Sequence, residues 1–171
     1  MTLCAAVRGD KVVPAEDLHS PPDWKRTFKS RIFDSHDELT PTPGVIWIPR
    51  TINNPFFDAV IFEPGPGNGQ HAATVWVIQL TTVQRHGDSA DGYEDGYAKV
   101  TAIHNHLRQL IRESQPKAGV DLAWLLIVPY KRQEMYDWSF QSLSRLAQRR
   151  MPGHGRVFVQ AFDSKENFEG C

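Results

Sequence analysis

The chain has 171 residues, of which 40% are hydrophobic, 11% aromatic and 23% charged. This composition is typical of one globular domain and excludes a fully disordered, collagen-like or coiled-coil chain. The formal net charge is −1, from 19 basic and 20 acidic residues. The chain therefore lacks the strongly basic composition of proteins that coat nucleic acids.

The two cysteines, Cys4 and Cys171, lie at opposite ends of the sequence. Two such residues form neither a disulfide framework nor a cysteine zinc site, which needs several closely spaced ligands. No apolar stretch has the length that spans a bilayer, so we expect no membrane partner. The scarcity of cysteine favours an intracellular location, the nucleus included.

The first predicted element is a helix over residues 23–38. Trp24, Phe28 and Ile32 recur every four residues, and Asp23 can cap the helix because a carboxylate accepts hydrogen bonds from free N–H groups. The polar face of this helix carries four basic residues: Lys25, Arg26, Lys29 and Arg31.

Three strands are predicted next, over residues 45–48, 56–62 and 73–83. The third is rich in β-branched residues, and a turn of proline and glycine at residues 64–69 separates it from the second. The second and third strands therefore form a predicted hairpin with a long tip.

In the second half of the chain, the hydrophobic pattern predicts a helix, a strand, another helix and a last strand. Apolar residues recur at helical spacing over residues 93–114. Residues 122–128 are the most apolar run and are typical of a central strand buried on both faces. A helix over residues 137–150 and a strand over residues 156–162 complete the order, so the expected fold is α/β with a mixed sheet.

Two polar residues stand out within the apolar strands. Asp58 is a lone carboxylate in an apolar run, and a buried charge is costly unless it is paired, hydrogen-bonded or bound to metal. Gln79 shares one face of its strand with Thr81 by the period-2 rule, and a buried amide needs partners. The structural alternative is that Asp58 caps the turn at residues 53–55 and that Gln79 belongs to a polar network at the sheet end.

The predicted hairpin can bring Asp58 and Gln79 side by side at one end of the sheet. A carboxylate beside a second oxygen ligand is a workable site for a hard divalent cation such as Mg²⁺ or Mn²⁺. The metal ligands that the sequence predicts are therefore Asp58 and Gln79.

A family resemblance rests on three segments: Asn54-Pro55-Phe56-Phe57-Asp58-Ala59-Val60, Trp76-Val77-Ile78-Gln79-Leu80-Thr81-Thr82 with His86 after it, and Trp124-Leu125-Leu126-Ile127-Val128-Pro129. These segments and the order of helix, three strands, helix and strand resemble the restriction-endonuclease-like, PD-(D/E)xK, nuclease superfamily. Within it the sequence is most similar to the divergent domains of Crinkler effectors and retrotransposon-hot-spot proteins. The resemblance covers residues 23–130 and implies one αβββαβ domain, with a core over residues 23–162 and peripheral terminal segments.

Carried over residue by residue, the resemblance implies roles for three positions. Asp58 matches the metal-binding aspartate, Gln79 takes the place of the D/E, and Thr81 takes the place of the lysine. In the family the two carboxylates hold Mg²⁺, and the lysine positions water and steadies the charge that develops on the phosphate. Glutamine brings no negative charge and threonine brings no ammonium group, so the expected site is that of a degenerate Mg-dependent endonuclease or of a relic.

Two further residues are candidates for the same catalytic site. Lys99 lies one or two turns into the helix over residues 93–114 and can replace the missing lysine, unless it is a solvated helix residue. His86 follows the third strand at the site end, and a plain loop histidine is its alternative. Three acidic residues at the end of the first helix can add a metal ligand: Asp34, Asp37 and Glu38.

A second basic cluster can hold a phosphate backbone despite the near-neutral net charge. Arg145 and Arg149 lie one helical turn apart, and Lys131 and Arg132 precede that helix. A solvated helix face is the alternative interpretation. The expected partner is DNA or another nucleic acid, and a protein partner and a second copy of the chain stay open. The alternative function is an inactive pseudo-nuclease that serves as a nucleic-acid- or protein-binding module of a Crinkler-type effector.

Overall fold

The structure, a computed structural model, describes residues 5–8, 11–13, 27–51, 54, 57–65, 71–80, 90–129 and 157–162. Its elements are β1 (Ala5–Arg8), β2 (Lys11–Val13), β3 (Lys29–Phe33), a 3-10 helix (His36–Glu38), β4 (Val45–Pro49), β5 (Ala59–Pro64), β6 (His71–Leu80), α1 (Ala90–Ser114), β7 (Gly119–Pro129) and β8 (Val157–Phe162). The predicted mixed α/β architecture is confirmed. Within the described ranges, no helix is both long and apolar enough to cross a membrane.

All eight strands form one mixed sheet, in the order β2-β1-β8-β7-β6-β5-β4-β3. From β4 to β8 the strands lie side by side in chain order. β5 is antiparallel to β4 and β6, which confirms the predicted hairpin, whereas β6, β7 and β8 are parallel. Parallel neighbours need a crossover connection, and α1 supplies it between β6 and β7.

α1 packs an apolar stripe against one face of the sheet and runs antiparallel to β7. The buried residues of this stripe are Val100, Ile103, Leu107 and Ile111. The Tyr97 ring meets the Trp124 ring edge-on, with 6.3 Å between centroids. His104 Nε2 donates to the carbonyl oxygen of Val120 at 2.8 Å. The first turns of α1 therefore lie near the C-terminal ends of β6 and β7.

The central strands separate two apolar layers. Val75 and Val77 join the α1 stripe in the larger core cluster, whereas Trp76 and Ile78 belong to a smaller cluster that excludes these helix residues. Successive side chains of a strand point to opposite faces, so this division confirms the predicted alternation along β6. Strand β7 contributes to both clusters, as expected of a central parallel strand.

The predicted first helix is wrong over the part of residues 23–38 that the structure describes. Residues 29–33 instead form β3, which pairs in parallel with β4. The helical pattern requires Ile32 to be buried, but Ile32 is 57% exposed and its neighbour Phe33 is buried. Pairing with β4 provides this segment with ladder hydrogen bonds, and such tertiary pairing overrides a short periodic pattern.

The remaining predictions near the chain ends have mixed outcomes. The predicted last strand corresponds to β8, which pairs in parallel with β7. β1 and β2 have no counterpart among the predicted elements, and β1 extends the sheet beyond β8. The predicted helix over residues 137–150 lies outside the described residues.

The α1 stripe yields a stability prediction. Leu107 is 1% exposed, so Leu107→Ala removes buried methyl groups and leaves a cavity. We expect a loss of about 2–5 kcal/mol in the free energy of unfolding, measured by urea denaturation. The matched control Gln109→Ala, at an exposed position of the same helix, should change it by less than about 0.5 kcal/mol. Equal effects of the two substitutions would contradict the packing described for α1.

Candidate functional site

Asp58 and Gln79 lie at one end of the sheet, where β5 begins and β6 ends. Ala59 pairs with Ile78 in the antiparallel ladder, so Asp58 directly precedes the first paired residue of β5 and Gln79 directly follows the last paired residue of β6. The backbone N–H of Asp58 donates to the carbonyl oxygen of Ile78 at 2.8 Å. The hairpin therefore brings the start of β5, which Asp58 precedes, beside the end of β6, which contains Gln79.

The Asp58 carboxylate bonds to the backbone of the neighbouring strand. Its Oδ2 accepts a hydrogen bond from the N–H of Leu80 at 2.7 Å. Asp58 thus provides an acceptor for the N–H of Leu80, which lies beyond the last paired residues of β5 and β6. Asp58 is exposed, and among the described residues no hydrogen bond to its Oδ1 is present. Sequence alone does not reveal Leu80 as a partner, because a backbone contact depends on the register of the two strands.

Gln79 carries an amide side chain at the end of β6, next to Leu80. It is 7% exposed and is the one buried polar residue among the described side chains. On its other side it pairs with Leu126 of β7, so it lies between a polar strand end and an apolar strand. A carboxamide coordinates through its carbonyl oxygen without adding charge, so Asp58 supplies the negative charge of the pair.

The other predicted site residues are not brought together by the described contacts. Lys99 lies on an exposed position of α1, and no described contact joins it to Asp58 or Gln79. Thr81 and His86 lie outside the described residues. The same holds for the predicted phosphate-binding residues: Lys131, Arg132, Arg145 and Arg149.

The three acidic residues after β3 are engaged in local contacts. Asp34 forms an ion pair with Arg50, with 2.7 Å between Oδ1 and Nε. Glu38 Oε1 accepts the N–H of Ser35 at 3.0 Å and that of Asp34 at 3.2 Å. Asp37 Oδ1 lies 2.9 Å from a ring nitrogen of His36. In the described part of the chain, no three His, Cys, Asp or Glu side chains are grouped as metal ligands.

The start of α1 is the remaining element near this end of the sheet. Helix N-termini carry free N–H groups and a partial positive charge, both of which favour phosphate. This end of the sheet thus contains one exposed carboxylate, one buried amide and, nearby, the start of α1. These groups suit a weakly held hard cation together with a phosphate.

Comparison of the chain with protein-family models, with curated proteins and with solved structures finds no match. The functional assignment therefore depends on the geometry of Asp58, Gln79 and the elements that hold them.

The hydrogen bond between Asp58 and Leu80 yields a second prediction. Asp58→Ala removes the acceptor of the Leu80 N–H, and we expect a loss of about 1 kcal/mol in the free energy of unfolding. Asp58→Asn retains an acceptor oxygen and should lose less than half of that amount. Urea denaturation of both variants measures the difference. An alanine variant as stable as the wild type would show that water replaces the carboxylate at no cost.

Proposed function

We propose that the chain is a divergent metal-dependent nuclease-like domain that acts on DNA at the sheet end formed by Asp58 and Gln79. The observation that carries the proposal is the position of the Asp58 carboxylate just before β5, where it accepts a hydrogen bond from Leu80, the residue after Gln79 on β6. Asp58 and Gln79 are the two positions to which the resemblance assigns the metal ligands of the PD-(D/E)xK superfamily.

The element order supports a restriction-endonuclease-like core in part. β4, β5 and β6 followed by α1 and β7 give the expected three strands, helix and strand. The leading helix of that core has no counterpart in residues 27–51, which contain β3, a 3-10 helix and β4. The support therefore comes from the hairpin, the crossover and the site that they position.

The donor set fits a magnesium or manganese ion with few protein ligands. Mg²⁺ is commonly held by one or two carboxylates, with water and substrate phosphate completing its shell. Asp58 would hold the ion through Oδ1 while Oδ2 stays bonded to Leu80, and Gln79 would add its carbonyl oxygen. When bound, such an ion supplies water activation and stabilises the charge on the scissile phosphate.

The chain's own groups orient the substrate at this end of the sheet. The hydrogen bond from Leu80 holds the carboxylate of Asp58 in one orientation, which preorganises its free oxygen. The N–H groups in the first turn of α1 favour the phosphate backbone of DNA. Among the basic residues of α1, Lys99 lies nearest to the start of the helix. It would take over the role of the lysine that Thr81 replaces.

A catalytically inactive module that binds nucleic acid or a protein is the second candidate. One observation favours it: the carboxylate of Asp58 is already used to close the end of β6. Within the described residues Asp58 belongs to no group of three His, Cys, Asp or Glu side chains that could hold a metal, and Gln79 brings no charge. In this case the fold would retain DNA binding as part of a Crinkler-type effector while cleavage is lost.

Cleavage and binding of DNA test the two candidates together. Purified protein is incubated with plasmid and linear DNA in Mg²⁺, in Mn²⁺ or in EDTA, and binding is followed by gel shift. We expect metal-dependent nicking that falls at least about tenfold in Asp58→Asn, because the substitution removes the charge that holds the ion. Glu113→Gln, an equal change of charge at an exposed position near the end of α1, is the control.

The outcomes separate the candidates. DNA that shifts without being cut in any metal would support the binding module and contradict the enzyme. Cutting that Asp58→Asn leaves unchanged would show that the activity arises elsewhere. Protein that neither cuts nor shifts DNA would contradict both nucleic-acid functions and leave a protein partner.

A further inference from the structure

Strand β3 lies at an edge of the sheet and pairs with β4 on one side. The N–H of Lys29 donates to Gly44, and the carbonyl of Phe33 accepts from Arg50, both at 2.9 Å. In a parallel ladder, alternate residues direct their N–H and C=O groups to opposite sides. Ser30 and Ile32 therefore present theirs to the free side of β3, where no described strand pairs with them.

The free side of β3 adjoins an exposed apolar strip. Ile32 is 57% exposed and pairs with Ile48, which is 38% exposed. Ile46, two residues before Ile48, lies on the same face and packs against the smaller core cluster. Ile32 and Ile48 therefore continue the apolar surface of that face. A strand added beside β3 would cover Ile32 and extend this apolar row.

The opposite face of β3 is basic. Lys29 and Arg31 are exposed and alternate with Ser30 and Ile32. The Arg31 guanidinium lies 5.7 Å from the centre of the Trp47 ring, a distance that allows a cation–π contact. Among the described ion pairs none involves these two residues, so their charge is open to an acidic ligand.

We infer that the free edge of β3 binds an extended segment of another protein in which acidic and apolar residues alternate. The backbone of this segment pairs with Ser30 and Ile32, as in other cases of strand addition to an open sheet edge. Its acidic side chains lie beside Lys29 and Arg31 on one face. Its apolar side chain lies beside Ile32 on the other, since side chains of a strand alternate between faces.

The charge pattern of β3 disfavours a second copy of the chain as the occupant. Antiparallel pairing of all five β3 residues with β3 of another copy places Arg31 opposite Arg31 on the same face. Like charges directly opposite each other destabilise a strand pair, and charged side chains on an edge oppose self-association. An acidic segment instead places carboxylates beside Lys29 and Arg31, and the opposite charges attract each other.

Fluorescence anisotropy with labelled synthetic peptides tests the inference. We expect the protein to bind acetyl-Glu-Val-Glu-Val-Glu-amide at low salt and to bind the lysine analogue, acetyl-Lys-Val-Lys-Val-Lys-amide, at least about tenfold more weakly. Arg31→Glu should weaken the acidic peptide about tenfold and reverse the preference. Lys117→Glu, an equal change of charge at an exposed position after α1, should leave the preference unchanged.

A backbone variant tests the strand pairing independently of charge. Ser30→Pro removes the outward N–H at an edge position where proline is tolerated, whereas Ser30→Ala retains it. Circular dichroism checks that each variant is folded. We expect the proline variant to lose the acidic peptide and the alanine variant to bind it as the wild type does.

Three results would overturn the inference. The first is equal affinity of the folded wild type for acidic and basic peptides. The second is a dimer in sedimentation that Ser30→Pro dissociates, because a second copy would then occupy the edge. The third is an Arg31→Glu variant that loses a duplex oligonucleotide but retains the acidic peptide, because the edge would then be a nucleic-acid surface.

Discussion

The burial of the α1 stripe against the sheet determines where the other parts of the structure lie. β6 and β7 are parallel, so the chain must return along the sheet between them, and α1 makes this return. The contact of Tyr97 with Trp124 and the hydrogen bond of His104 to Val120 fix the direction of the helix. As a consequence the start of α1, the end of β6 and the start of β5 meet at the same end of the sheet.

At that end one oxygen of the Asp58 carboxylate is part of the fold, and the proposed site would use the other. The first oxygen accepts the N–H of Leu80 and orients the group. If Gln79 takes the place of a metal-binding carboxylate, as proposed, it would avoid the repulsion between two neighbouring carboxylates when no metal is bound. The same exchange would lower the affinity of the proposed site for the ion.

The sequence predicts those elements in which a long hydrophobic periodicity is bounded by turn residues on both sides. The helix at α1 and the strands around Asp58 and Gln79 belong to this group, because periodicity and turns agree over many residues. The sequence predicts a helix where β3 lies because Trp24, Phe28 and Ile32 recur every four residues. The pairing of β3 with β4, which overrides this spacing, has no local signal in the sequence. The contact between Asp58 and Leu80 was missed for a related reason, since it depends on strand register. The roles of Thr81, His86 and Lys99 stay predictions.

The two proposed ligand surfaces lie on different strands, but ligands bound to them would interact electrostatically. Ile32 pairs with Ile48 of β4, and Trp47, the residue before Ile48, pairs with Val60, the second residue of β5. Ile32 therefore lies nearly level with the start of β5. Two strand spacings, about 10 Å, separate β3 from β5, which is close to the Debye length at physiological ionic strength. A DNA phosphate at Asp58 and an acidic segment on β3 would therefore repel each other at low salt although they touch different strands. Because this coupling acts through charge alone, added salt would weaken it without altering either set of hydrogen bonds.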